Sequence, residues 1–309
     1  MNTKYRSITK KIFILLFLTT LLFSCNKDDE TKTWKTYPNA RTLVHDGNSR
    51  EYFVYVPASY DGTSKAPLMF NFHGGAGDIA SQIDIVSDMR PIADTAGFIL
   101  VYPQAWPDPS DGGSTNWTHK EPTTHDDIFF VEAMIDALAS EYMIDENRVY
   151  ACGYSNGGEL TFELACRLSN RIAAVGVVAR SMYIETYNHS SPTHPTAVLT
   201  IHGTKDDYDG IIYGGITYYI SLDDLNNYWV NFNNTETTPT VVQMPDLNSS
   251  DGSTVEHFSW NNGDGGVSVE HYKIIGGGHD WPGSFGNMDI DASLEIWDFV
   301  SKYDINGLR

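Results

Sequence analysis

Arg148-Val149-Tyr150-Ala151-Cys152-Gly153-Tyr154-Ser155-Asn156-Gly157-Gly158 is the stretch from which the fold can be read. Its first five residues are β-rich, the next five form a G-x-S-x-G turn, and Asn156 to Leu168 reads as a helix. A strand that enters a helix through so tight a turn leaves no room for side chains beside the serine, so glycine flanks it. Ser155 is then exposed at a helix N-terminus, where the dipole favours developing negative charge. The pattern predicts an activated serine, and such a serine needs a base and an acid to orient that base.

Working outward, the same alternation of strand and helix recurs. Glu51 to Val56, Pro67 to Phe72, Phe98 to Tyr102, Ala173 to Val178 and Ala197 to Ile201 read as strands. Asp126 to Tyr142 has apolar residues at Phe130, Met134, Ile135 and Leu138, a helical spacing with acids in the first turn. A helix is expected around Leu222–Val230. A hairpin-like pair follows, Val255–Trp260 and Val267–Ile275, with Asn261 to Gly266 as its turn. A last helix, about Ala292 to Tyr303, places Leu294, Ile296, Trp297 and Val300 for packing. This order predicts an α/β protein with a mostly parallel central sheet and helices on both faces. No repeat or long low-complexity tract is present.

In an open parallel sheet, loops at the carboxyl ends of the strands carry the chemistry. His202-Gly203-Thr204-Lys205-Asp206-Asp207 spans the end of one strand and its loop; Gly276-Gly277-Gly278-His279-Asp280-Trp281 follows the last. His279, flanked by small residues, is the candidate base. Asp206 is the candidate acid, with Asp207 its close rival. His73-Gly74-Gly75 ends an earlier strand, and amides at Gly74 or Gly75, together with that of Asn156, suit an oxyanion hole. His73 itself reads as structural. Trp106, Trp117, Tyr208, Tyr213 and Trp281 crowd the same loops and suit stacking on an aromatic acyl group or sugar ring. No metal-ligand spacing, phosphate loop or dinucleotide fingerprint is found; Asp246 to Gly252 misses the EF-hand register by one residue.

Together these motifs resemble the α/β-hydrolase esterases of the polyhydroxybutyrate depolymerase-like, feruloyl and acetyl xylan esterase group (carbohydrate esterase family 1). The matching residues are His73-Gly74-Gly75, Asp126-Asp127, Arg148-Val149-Tyr150, Gly153 to Gly158, Leu164-Ala165-Cys166, His202-Gly203-Thr204 and Gly276 to Gly283. They span roughly residues 48–305. The resemblance implies an α/β-hydrolase fold with Ser155 as nucleophile, Asp206 as acid and His279 as base, and no cofactor. It departs from the family after the loop aspartate, where a proline-containing run is common and this chain has Asp207-Tyr208-Asp209-Gly210. Feruloyl or acetyl groups on plant polysaccharide are the expected substrates. Short-chain polyesters are the alternative, peptides a more distant one, and a non-catalytic carbohydrate-binding lipoprotein the rival of another class.

The amino terminus reads separately. Residues 1–24 carry Lys4, Arg6, Lys10 and Lys11, no acid, and an apolar run from Ile12 to Phe23, as a secretory signal does. The run is short for a membrane span. Leu22-Phe23-Ser24-Cys25 resembles a bacterial lipobox, so Cys25 is expected to be lipidated and to hold the protein at the outer membrane or cell surface. Residues 25–40 then form a flexible tether and 41–309 the catalytic domain. The whole chain of 309 residues has a formal charge of −20. Loss of four basic residues with the signal moves this to −24. Such acidity excludes a nucleic-acid partner and disfavours polyanionic substrates. Cys152 and Cys166 are equally compatible with a bridge and with buried free thiols.

Overall fold

Ten strands form one sheet: β1 (Arg41–His45), β2 (Asn48–Tyr55), β3 (Ala66–Phe72), β4 (Ile99–Pro103), β5 (Ile144–Tyr154), β6 (Ala174–Val178), β7 (Ala197–Gly203), β8 (Thr240–Gln243), β9 (Thr254–Trp260) and β10 (Val269–Ile275). The computed structural model describes residues 36–108, 112–117 and 126–309. The strand order is β1-β2-β4-β3-β5-β6-β7-β10-β9-β8. Neighbours from β4 to β10 in that order pair parallel, and antiparallel pairs finish both edges. The expected α/β-hydrolase sheet is therefore present, extended at each end.

The sheet is apolar on both faces because helices cover both. Side chains alternate across it. Leu68, Phe70 and Phe72 of β3 join one core with helices α2 (Asp127–Glu141), α3 (Asn156–Arg167) and α5 (Leu222–Phe232). Met69 joins the opposite core with α1 (Arg90–Ala96) and α6 (Ala292–Val300). A short helix, α4 (Ile184–His189), lies after β6. Asp126 caps α2, its carboxylate accepting from the Ile128 amide at 2.9 Å. Asp127, fully buried, pairs with buried Arg50 at 2.5 Å, and the guanidinium lies 4.0 Å over Phe130. That pair ties β2 to α2.

Two expectations change, and one open alternative is decided. Leu294 does not pack: it is 47% exposed on the outer face of α6. Strands β1 and β8 were not expected; β1 meets β2 through a two-residue turn, Asp46-Gly47, with φ of 49° and 77°. Cys152 and Cys166 are both free and buried. Of the 25–40 segment, Thr36 bonds Glu51 at 3.1 Å and Tyr37 packs edge-on against Phe53 at 4.9 Å. The signal segment and Cys25 lie outside the described residues. No helix among the described residues is long and apolar enough to cross a membrane.

Candidate active site

The parallel strands bring the carboxyl ends of β3, β5, β6, β7 and β10 to one edge of the sheet. At its centre β5 ends at Tyr154 and α3 begins at Asn156, so Ser155 alone makes the turn. Its backbone sits at φ 53°, ψ −120°. A non-glycine residue held there stores about 1–3 kcal/mol of strain, which persists only where the surroundings over-determine it. They do: the Ser155 amide donates to Val178 O at 3.0 Å, and its carbonyl accepts from Glu159 at 3.1 Å. A Cβ on Gly153 would stand 2.3 Å from the Gly157 backbone, and one on Gly157 2.5 Å from the carbonyls of Phe72 and His73. Those distances are the physical content of the glycine spacing.

Two loops supply the histidine and the acid. They are bound together, Thr204 N–H to Ile274 O at 2.9 Å and Lys205 N–H to Gly277 O at 2.8 Å. His279 Nδ1 donates to Asp206 Oδ2 at 2.7 Å. An ionised carboxylate only accepts, so the proton is on Nδ1 and Nε2 is left as the basic nitrogen. Asp207 makes no bond to His279. His202 Nε2 lies 3.6 Å from the same Asp206 oxygen. Burial raises the Asp206 pKa, but the bond from His279 and the pull of His202 and His279 outweigh it, leaving the group below the ordinary carboxylate range. Tyr154, beside the serine, donates its hydroxyl to His279 O at 2.7 Å and holds the histidine loop over the turn. His279 stays 41% exposed.

No hydrogen bond joins His279 to Ser155 among the described residues. Ser155 Oγ instead accepts from Arg180 Nη2 at 3.2 Å. Catalytic contacts are often long in a free enzyme and tighten around substrate. Arg180 was not singled out from the sequence: a lone arginine beyond an apolar strand carries no motif.

The amides of Gly75 and Asn156 have no acceptor among the described residues, and a Cβ on Gly75 would lie 3.5 Å from Asn156 Cβ. The His73-Gly74-Gly75 loop therefore packs directly against Ser155 and the start of α3. The Gly74 carbonyl is turned away, accepting from His73 Nδ1 at 2.7 Å and Gly77 N–H at 3.1 Å. Since His73 Nε2 accepts from Ala105 N–H at 3.1 Å, its imidazole is neutral and locked. Burial lowers its pKa to about 4. It is a structural residue of the loop.

The aromatic expectations divide. Trp281 is fully buried, its indole N–H on Ser293 Oγ at 3.1 Å, so it belongs to the core and offers no wall to a substrate. Trp117 is also buried: its indole N–H donates to His73 O at 2.8 Å, and its backbone amide to Asn156 Oδ1 at 2.7 Å. It ties the His73 loop to the start of α3. Tyr208 is half-buried with its hydroxyl on His271 at 3.1 Å. Trp106 is half-buried near Arg50, 5.9 Å from the guanidinium. Tyr213 stands exposed on a hairpin, Ile211–Tyr213 and Ile216–Tyr219, that follows the Asp206 loop. Among the described residues no three His, Cys, Asp or Glu side chains converge as metal ligands.

A strained serine at a strand–helix turn and a carboxylate-held histidine thus stand at one edge of the sheet. The sequence matches the family described as Esterase PHB depolymerase over residues 50–214, more than half of the chain, and the chain belongs to that family of carboxylic ester hydrolases. It is 28% identical over 261 residues to the bifunctional acetylxylan esterase/xylanase XynS20E of Neocallimastix patriciarum, a match covering 84% of this chain and 34% of that protein. Feruloyl esterase B of Piromyces equi is 27% identical over 269 residues, covering 83% and 46%. The chain therefore spans between a third and a half of the length of these relatives. Among solved structures, an acetyl xylan esterase from Aspergillus awamori superposes with a TM-score of 0.60 at 16% identity, over 85% of this chain and 98% of that one, which is a likeness of fold.

Proposed function

We propose that this chain is a serine ester hydrolase that removes feruloyl or acetyl groups from plant polysaccharide. The observation that carries the chemistry is the 2.7 Å bond from His279 Nδ1 to Asp206 beside the strained Ser155 turn. In this reading Ser155 Oγ attacks the ester carbonyl while His279 Nε2 takes its proton. Asp206 fixes the imidazole tautomer and steadies the imidazolium. The amides of Gly75 and Asn156 hold the developing oxyanion; one such donor is worth roughly 3–4 kcal/mol. His279 returns the proton to the departing alcohol, and water then cleaves the acyl-enzyme by the same route. No cofactor enters.

The relatives named for acetylxylan and feruloyl esters support the substrate class. The family description favours a second reading, hydrolysis of short-chain polyesters. Purified protein beginning after residue 25, assayed on methyl ferulate, acetylated xylan and a polyhydroxybutyrate suspension, separates them. Greater turnover of the suspension than of either plant ester would reverse the order. The lipobox-like Leu22 to Cys25 supports a surface-tethered form; labelling with a palmitate analogue that persists in Cys25→Ser would remove it.

A further inference from the structure

Arg180 touches Ser155 in the free enzyme, its Nη2 donating to Oγ at 3.2 Å, and its surroundings hold it there. The guanidinium lies 4.6 Å over the ring of Tyr219, whose hydroxyl donates to Glu159 at 2.6 Å. The preceding residue, Ala179, has a positive φ of 54°, a conformation that a non-glycine residue adopts only when its surroundings enforce it. A Cβ on Gly158 would come within 3.2 Å of Arg180 Cβ, so glycine there leaves room for the side chain. Among the described residues, no carboxylate lies within ion-pairing distance of the guanidinium, and its Nε is buried without an acceptor. A guanidinium keeps its charge throughout the pH range in which proteins work, so a cation stands against the nucleophile with no anion paired to it. An uncompensated charge in partly dry surroundings is costly and calls for an explanation.

We propose that Arg180 is a further catalytic residue, the counter-charge for the negative charge that the reaction creates at Ser155 and the ester carbonyl; this rests on the ester-hydrolase reading above. When Oγ attacks, its proton passes to His279 Nε2, the bond from Oγ to the carbonyl carbon forms, and the carbonyl π pair moves onto the oxygen. That oxygen is separated by a single carbon from Oγ, the atom that the guanidinium already touches. Asp206 and the oxyanion are then both negative, while the imidazolium of His279 is positive and is paired with Asp206. Arg180 supplies the remaining positive charge. A pairing that is absent from the free enzyme and made in the transition state is the kind that raises kcat. The contact does not block attack, because a hydroxyl that accepts from Arg180 still has its hydrogen to give to His279.

The test uses 4-nitrophenyl acetate as substrate and phenylboronic acid as inhibitor, which an attacking serine captures as a tetrahedral anion. Hydrolysis that is lost in Ser155→Ala reports the ester-hydrolase reading by itself. Arg180→Gln and Arg180→Leu are both neutral, one polar and one apolar, so either that folds serves. Each is expected to lower kcat by roughly 10²-fold, the scale of a lost oxyanion donor, with KM within about threefold of wild type. The inhibition constant of the boronic acid is expected to rise by about the factor by which kcat/KM falls, since its adduct carries the charge of the transition state. Arg180→Lys keeps the positive charge, and its loss is expected to be about tenfold smaller than that of either neutral variant. An unaltered or raised kcat in a folded neutral variant, an unaltered boronic-acid affinity there, or an equal loss in Arg180→Lys overturns the proposal.

Discussion

His279 donates its Nδ1 proton to Asp206 at 2.7 Å, and Asp207, one residue on, makes no such bond. Adjacent aspartates on a loop carry no periodicity that says which one turns inward. Here the choice is made by backbone bonds that clamp the loop, Asp206 N–H to Gly203 O at 3.2 Å and Lys205 N–H to Gly277 O at 2.8 Å. On 4-nitrophenyl acetate, Asp206→Asn is expected to lower kcat by about 10³–10⁴, the scale of a lost tautomer lock. The loss in Asp207→Asn is expected to be at least about a hundredfold smaller. Steady-state kinetics of both variants check this, and a larger loss at Asp207 would exchange their roles.

Acid should loosen the fold before the carboxylates titrate. His73 is buried and neutral with its pKa lowered to about 4, against an unfolded value near 6.5. A base whose folded pKa is depressed contributes stability that is complete above the unfolded value and is lost as pH falls through the folded one. His271, buried with its pKa lowered to about 3, acts in the same sense, so the unfolding free energy measured by urea titration is expected to drop between pH 6.5 and 4 by on the order of 3 kcal/mol for each histidine, and His73→Phe should remove its share. A flat profile over that range would mean that neither His73 nor His271 is held neutral.

Trp281 follows a glycine-rich loop beside the candidate base, and its neighbours in sequence suggest a binding wall. Its position is decided instead by α6, whose Ser293 takes the indole N–H at 3.1 Å. Trp281→Ala is therefore expected to cost about 3–5 kcal/mol of stability, with KM for methyl ferulate within about threefold of wild type wherever the variant is folded. A KM rise without loss of stability would return Trp281 to the binding site.

Arg50 and Asp127 are the second buried relationship that bears on the site's scaffold. Removing one member strands a buried charge, so Asp127→Ala is expected to destabilise by about 3–5 kcal/mol. Arg50→Met combined with Asp127→Leu should recover most of that loss, as an apolar replacement of a buried pair often does. A double variant no better than the single one would show that the pair does more than balance itself.

Much of the fold is legible in the sequence. The strand–helix alternation set the sheet, and glycine at 153 and 157 set the turn, because local geometry there admits nothing else. His279 could be placed because it follows a strand that joins the parallel sheet. What stayed hidden depends on distant partners: the burial of Trp117 and Trp281, the exposure of Leu294 and the reach of Arg180 to Ser155. Strand β1 lay within reach of the sequence, since Asp46-Gly47 is a hairpin signal, but edge strand β8 is exposed along its length and carries no two-faced pattern.

Attack on the ester carbonyl by Ser155 stands at the centre of the proposed chemistry. Its most direct test is the hydrolysis of 4-nitrophenyl acetate by wild type and by folded Ser155→Ala at neutral pH. Loss of the nucleophile is expected to lower kcat by roughly 10⁴–10⁶. Equal turnover by the two proteins would show that Ser155 is not the nucleophile.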